Sequence, residues 1–148
     1  MIYHKYWSIN RFHNLTSQNT NFSFKHLNKV YTLNLSYNHL EHLPDDLFTN
    51  TEYENICLSN NRLKNIHFLQ QTSSFNLLDL ASNHIKSISN CLSSTLQDTS
   101  KAARLIISNN YLNEINFKFV IKLPDMVKID FRFNIDLKDY DKIFACLF

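Results

Sequence analysis

Residues 33–44 read Leu-Asn-Leu-Ser-Tyr-Asn-His-Leu-Glu-His-Leu-Pro, and this stretch decides the fold. Leu33 and Leu35 alternate with polar residues, which is the pattern of a strand that is buried on one face. Asn38 follows the alternating part, and Leu40 and Leu43 come after it. The same order recurs along the chain, so the stretch is one unit of an internal repeat.

Four further windows are centred on asparagines, and the intervals from Asn38 onward are 23, 22, 27 and 24 residues. The five asparagines are Asn38, Asn61, Asn83, Asn110 and Asn134. Their apolar neighbours are Val30, Leu33, Leu35, Leu40 and Leu43; Tyr53, Ile56, Leu58, Leu63 and Ile66; Phe75, Leu78, Leu80, Ile85 and Ile88; Ala102, Leu105, Ile107, Leu112 and Ile115; and Met126, Ile129 and Phe131. Only the last window departs, with Asp136 and Asp139 at apolar positions. One such turn cannot bury its own apolar side, so we expect neighbouring turns to stack around a shared core.

Over residues 24–135 the pattern resembles the leucine-rich repeat family. The resemblance implies an α/β fold in the form of a leucine-rich repeat solenoid, or horseshoe. About five short parallel strands would line its concave face, and irregular or short-helical returns its convex face. Residues 1–23 would be a degenerate segment or a decayed repeat built on Trp7, Ile9, Phe12 and Leu15, and residues 136–148 a C-terminal cap or a truncated repeat. Leu92 and Leu96 predict a short helix in the return at 89–101.

The resemblance also implies a structural role for the five asparagines, whose side-chain amides would bond to backbone groups of adjacent turns. That arrangement would pair polar groups that a tight corner otherwise buries without partners. The chain has 20 asparagines and no glycine. Asparagine is the next-best residue for left-handed backbone positions, so we expect the turns to depend on it.

The missing glycine also excludes chemistry, because phosphate loops, dinucleotide fingerprints and hydrolase nucleophile elbows all require it. A net charge of +2, with both signs scattered, provides no basic patch, so no nucleic-acid partner is expected. No apolar run approaches the roughly 20 residues that span a bilayer. Cys57, Cys91 and Cys146 are widely separated and indicate neither a disulfide framework nor a zinc site.

Three possible catalytic or metal-binding groups have simpler interpretations. His39 and His84 lie two repeats apart, nearly 10 Å, which is too far to share one ion. Asp79 and Asp130 are separated by a similar distance, with Ile106 between them, and the carboxylate spacing alone is that of an inverting glycosidase. Cys57 has Asn34 and Asp79 as neighbours rather than an activating histidine. We therefore expect a protein that is not an enzyme, with no cofactor and no metal.

In the family, ligands usually bind the concave face, through residues between and after the strand leucines. Carried over, the candidate protein-binding residues are Leu77, Asp79, Arg104, Ile106, Lys128, Asp130, Arg132 and Phe133, with Tyr37 from an earlier turn. Arginine and aromatic side chains dominate protein interfaces, which favours this second half of the face over the neutral first half. The alternative is an ordinary solvated sheet face.

The predicted function is a protein-binding scaffold. Residues 43–48, Leu-Pro-Asp-Asp-Leu-Phe, look like a segment of Toll-like receptor repeats, which favours a piece of such a receptor ectodomain, on the extracellular side of a membrane. The apolar end at residues 143–148 favours a fragment of a longer array. The alternatives are a free-standing intracellular adaptor or regulatory subunit, complete and cytoplasmic, and an accessory module of a larger enzyme.

Overall fold

The computed structural model describes residues 7–8, 29–49, 51–69, 75–88, 104–115 and 128–137. Its main sheet contains β1 (Trp7–Ser8), β2 (Lys29–Asn34), β3 (Glu52–Cys57), β4 (Leu77–Asp79), β6 (Arg104–Ile106) and β8 (Lys128–Asp130). These six strands are parallel and lie in the order β1-β2-β3-β4-β6-β8. A second parallel pair joins β5 (Ser87–Ile88) to β7 (Glu114–Ile115), and a single turn of 3-10 helix covers His67–Leu69. A parallel sheet with almost no helix in the described ranges is compatible with the α/β class.

The register of the sheet follows the sequence windows. Leu33, Ile56, Leu78, Leu105 and Ile129 lie side by side on β2, β3, β4, β6 and β8. Each of the five windows therefore supplies one strand, at the position that its alternating residues predict. β1 adds a sixth strand from the N-terminal segment, with Trp7 opposite Leu33.

The core lies on one side of the main sheet and takes in the apolar positions of the windows. Of the window residues whose burial is described, all are buried except Ile129, which is half-buried and packs against the core. The returns contribute further core residues that the windows do not include: Leu47, Phe48, Phe68 and Leu69. Phe48 packs edge-on against Tyr53, with 5.2 Å between ring centroids, and lies 5.7 Å from Phe68. Aromatic packing of this kind adds to the stabilisation from burial alone.

The last window differs from its predicted pattern by one residue. Asp136 is exposed, and the next residue, Leu137, is buried in its place. A tight turn, in which the Leu137 N–H donates to the Asn134 carbonyl at 3.1 Å, brings the leucine inward. This turn therefore still places an apolar side chain in the core, because the backbone moves the buried position by one residue.

Four of the five window asparagines join neighbouring turns through the same atoms. The Asn61 Nδ2 donates to the carbonyls of Leu35 and Leu58, at 2.9 and 3.0 Å, and its Oδ1 accepts from the Leu40 N–H. Asn83, Asn110 and Asn134 repeat this arrangement with the equivalent carbonyls and N–H groups one turn further along. These side chains, buried to at least 94%, satisfy backbone groups at the end of each strand that would otherwise lie unpaired in the core. We call Asn38, Asn61, Asn83, Asn110 and Asn134 the asparagine ladder.

Several predicted features lie outside the described residues. They are the helix expected at 89–101, the core positions Ala102 and Met126, Asp139, Cys91, Cys146, the apolar end at 143–148, and residues 1–23 except β1.

Candidate functional site

The side of the main sheet opposite the core carries two rows of side chains, which we call the open face. Successive residues of a strand point to opposite sides, so the neighbours of the buried leucines all point away from the core. The first row is Thr32, Asn55, Leu77, Arg104 and Lys128, and the second is Asn34, Cys57, Asp79, Ile106 and Asp130.

The register brings six of the nine predicted binding residues into one patch. Leu77, Arg104 and Lys128 are consecutive in the first row, and Asp79, Ile106 and Asp130 in the second. Arg104 and Lys128 are exposed, whereas Leu77 and Ile106 are half-buried rather than fully exposed.

The other three predicted residues lie beyond the ends of the strands. Arg132 and Phe133 follow β8 directly, whereas Tyr37 follows β2. Four strand spacings of about 4.8 Å separate Tyr37 from Phe133, or roughly 19 Å. Tyr37 therefore does not join the patch.

Arg132 is held by Asp130, the last residue of β8. Its guanidinium donates to both carboxylate oxygens of Asp130, from Nε at 2.9 Å and from one Nη at 2.8 Å. This bidentate pair lowers the pKa of the Asp130 carboxyl and raises the pKa of Arg132. Arg132 and Asp130 thus bind each other, whereas the sequence predicted each of them as a separate contact to a protein partner.

Asp79 and Asp130 also have a structural use. The Asp79 Oδ1 accepts from the Ala81 N–H at 3.0 Å, and the Asp130 Oδ1 accepts from the Arg132 N–H at 3.2 Å. Asn34 makes the same bond with the Ser36 N–H at 3.0 Å. Each side chain thus caps the backbone two residues after it, as Asx turns do. Asp79 and Asp130 thus each hold a backbone N–H, and Ile106 lies between them in the row.

The first half of the open face is tied together by neutral hydrogen bonds between strands. The Asn55 amide donates to the Thr32 hydroxyl at 3.2 Å, and the Ser59 hydroxyl donates to that of Ser36 at 3.1 Å. These bonds link neighbouring turns, and Ser36 and Ser59, which follow β2 and β3, are buried.

Cys57 is half-buried between Asn34 and Asp79 on the open face. Burial, and then the negative charge of Asp79, raise the pKa of its thiol. The thiolate is the nucleophilic form, so both effects oppose the reactivity that a catalytic cysteine needs.

The residue before each ladder asparagine has a left-handed backbone. The φ angles are 59° for Tyr37, 56° for Asn60, 55° for Ser82, 54° for Asn109 and 61° for Phe133. The expectation that asparagine serves these turns is thus correct at two positions and wrong at three. A left-handed conformation costs a residue with a Cβ atom about 1–2 kcal/mol, and it is rare for bulky side chains.

A cavity of about 270 Å³ lies among the residues that follow β4, β6 and β8. Its walls include His84, Asn109, Tyr111, Phe133 and Ile135, and the rings of His84 and Tyr111 are 5.5 Å apart. Sequence reasoning selected only Phe133 from this group. The available signal was position, since His84, Tyr111 and Ile135 each directly follow a ladder asparagine.

The described residues contain no group of three or more His, Cys, Asp or Glu side chains that could share a metal ion. Within the same ranges, no helix is long and apolar enough to cross a membrane. No protein-family model matches the chain, and no curated protein matches it significantly.

Proposed function

We propose that the chain is a leucine-rich repeat solenoid that serves as a non-enzymatic, protein-binding scaffold, as part of a Toll-like or similar receptor ectodomain. On this proposal the open face is the concave face of the solenoid, and a protein partner docks on its second half.

The observation that carries the proposal is the asparagine ladder. Asn61, Asn83, Asn110 and Asn134 make equivalent bonds to the turn before them, so each turn is held against its neighbour in the same way. A surface built like this is ordered before a partner arrives. Docking on it therefore loses little conformational entropy, which is a requirement of an effective scaffold.

The side chains of the second half support its choice as the docking surface. Arg104 and Lys128 are exposed neighbours in one row, and neither forms an ion pair with another described residue. Leu77 and Ile106 lie beside them and are half-buried. Unpaired cations next to apolar area favour a partner surface that combines acidic and apolar side chains.

The test is charge reversal on a partner that has been identified and purified. The partner is obtained by crosslinking in the native source, and its direct affinity for the purified chain is measured by calorimetry. The double variant Arg104→Glu and Lys128→Glu should weaken binding at least tenfold, because two favourable charges become repulsive. The control is Lys64→Glu, which reverses an exposed charge outside the open face. Equal affinity of the double variant and the wild type would contradict the proposed docking surface.

The receptor assignment has its own test. The native protein is blotted before and after treatment with N-glycosidase, because Asn14, Asn21 and Asn34 each begin an Asn-x-Ser/Thr sequon. A band well above 17.6 kDa that shifts on treatment supports a secretory receptor. An unshifted band at 17.6 kDa contradicts it and favours the intracellular adaptor.

A further inference from the structure

The large apolar side chains that are most exposed lie beside the sheet rather than on its open face. Among the described residues, the exposed ones are Tyr37, Tyr111, Phe133 and Ile135, with 75%, 47%, 72% and 90% of their surface accessible. Each directly precedes or follows a ladder asparagine. We call the two rows at these positions the corner edge: Tyr37, Asn60, Ser82, Asn109 and Phe133, and His39, Arg62, His84, Tyr111 and Ile135.

Three of the four exposed apolar residues surround the same cavity. Tyr111, Phe133 and Ile135 line it together with His84. At about 270 Å³, it is smaller than the roughly 300–1,000 Å³ of pockets for cofactors and drug-sized ligands. His84, Tyr111, Phe133 and Ile135 supply ring and aliphatic surface to its walls, and the other lining residues are polar: Ser82, Asn83, Asn109 and Asn110. Its size suits a single large side chain, of the kind that anchors protein interfaces.

The left-handed backbone does not by itself separate Phe133 from the other corners. Tyr37 also carries a bulky, exposed side chain in that conformation, whereas Asn60 and Asn109 are of a residue type that tolerates it. What separates Phe133 from Tyr37 is the cavity that Phe133 lines.

The charges along the corner edge are arranged asymmetrically. Arg62, and Lys86 two residues after His84, are exposed and form no ion pair with another described residue, whereas Lys64 is paired with Glu41 at 2.7 Å. Asp136 is exposed beside Ile135, at the opposite end. The corner edge thus has, at one end, a cavity that is lined in part by apolar side chains, and toward the middle two cations that no described residue pairs.

The distance between the cations and the cavity matches a short stretch of extended peptide. Arg62 follows β3 and Tyr111 follows β6, so two strand spacings, or about 10 Å, separate their corners. Three residues of extended chain span the same distance, at roughly 3.3 Å each.

We infer that the corner edge, rather than the open face alone, is where a protein partner is anchored. An extended segment of the partner inserts one large apolar side chain between Tyr111, Phe133 and Ile135, and places an acidic residue about three positions away against Arg62 and Lys86. Asp136 disfavours an acid at the apolar end, which sets the direction of the segment. This inference rests on the proposed scaffold function and identifies the chemistry of the partner.

The test uses a random 12-residue peptide library displayed on phage and selected on the purified full chain. Enriched peptides are synthesised, and their affinities are measured against variants whose folding is checked by circular dichroism. The main variant is Phe133→Asn, which keeps a residue that accepts the left-handed conformation. Its matched control is Tyr37→Asn, the same kind of change at a corner roughly 19 Å away.

We expect the enriched peptides to share a large apolar residue and an acidic residue about three positions apart. Phe133→Asn should lower the affinity for these peptides at least tenfold, and the double variant Arg62→Glu with Lys86→Glu should lower it severalfold. Tyr37→Asn should leave the affinity unchanged. If the peptides instead weaken with Arg104→Glu and Lys128→Glu but not with Phe133→Asn, the inference is overturned and the proposed function stands. If no peptide binds above background, the inference is overturned, whereas the proposed function is decided by the charge-reversal test on the purified partner.

Discussion

The asparagine ladder and the left-handed corners are one residue apart in every turn, yet they respond to opposite constraints. The ladder residue is almost completely buried and is always asparagine, whereas the corner residue before it is tyrosine, asparagine, serine, asparagine and then phenylalanine. The buried position needs a group that donates to two carbonyls and accepts from one N–H at fixed places, which the asparagine amide does. The corner position constrains the backbone angle, and its side chain varies: Asn109 donates to the Ser82 hydroxyl at 3.0 Å, whereas Tyr37 and Phe133 are exposed.

The first rung of the ladder differs from the other four. The Asn38 Nδ2 donates to the carbonyls of Leu35 and Ser36, at 2.7 and 3.1 Å. Within the described residues, its buried Oδ1 has no donor. Among the described residues, the bond to the preceding turn therefore separates the four later rungs from the first one.

The largest effect is expected from removing an interior rung. Asn110→Ala leaves the Ile85 N–H without a partner. It also removes one of the two amide donors from the carbonyls of Leu80 and Ile107, which keep their bonds to Asn83 and Asn134. The free energy of unfolding should fall by about 2 kcal/mol, because a buried donor without a partner is expensive. Asn38→Ala should lower it by only about 1 kcal/mol. Urea denaturation measures both.

The exposed residue Asn113 is the control for this comparison, since Asn113→Ala should change the stability by less than about 0.5 kcal/mol. Equal losses for Asn110→Ala and Asn38→Ala would show that the bonds between turns contribute little.

A smaller effect, of opposite sign, is expected at the corners. Phe133→Gly removes the Cβ atom that the left-handed angle disfavours, and should raise the free energy of unfolding by about 0.5–1 kcal/mol, after the extra chain entropy of glycine is subtracted. Phe133→Ala keeps the Cβ atom and should gain nothing. Thermal denaturation of the two variants provides the comparison.

Asn109→Gly calibrates this corner effect, because asparagine already tolerates the left-handed angle. Its gain should be smaller than that of Phe133→Gly, and a loss of stability in Phe133→Gly would rule out strain at this corner.

The smallest effect is the pH dependence of the exposed pair. Because Arg132 lowers the pKa of Asp130 in the folded state, the pair stabilises the fold above the ordinary carboxyl pKa, and the stabilisation is lost as the pH falls through the lowered value. Arg132→Gln should raise the Asp130 pKa toward its ordinary range, as followed by carboxyl NMR. Lys128→Gln is the control, and salt should weaken the effect in the wild type. An unchanged Asp130 pKa in Arg132→Gln would show that the ion pair is not formed in solution.

The periodicity of the sequence predicted one strand in each window and the buried rows, whereas the parallel arrangement was what the family resemblance implied. β1, β5 and β7 were not predicted. The neighbours of Leu33, Ile56 and Leu78 could be placed because a strand alternates its side chains between two faces. The same alternation correctly placed Asp79 and Asp130 in one row. The pattern did not reveal the Asx turns of these residues, because a short polar side chain that caps the backbone looks like any other exposed residue in a sequence.

The sequence by itself determined the buried rows of the windows and where the asparagines recur, since both depend on local spacing that every turn repeats. The tertiary structure alone decided which side chains meet across turns. The pairing of Arg132 with Asp130, the burial of Leu137 in place of Asp136, and the cavity shared by His84, Tyr111 and Ile135 belong to this second class. Each depends on the backbone path through a corner, and five corners with four residue types share nearly the same φ angle. The identity of a corner residue therefore does not predict its conformation, because the neighbouring turns impose it.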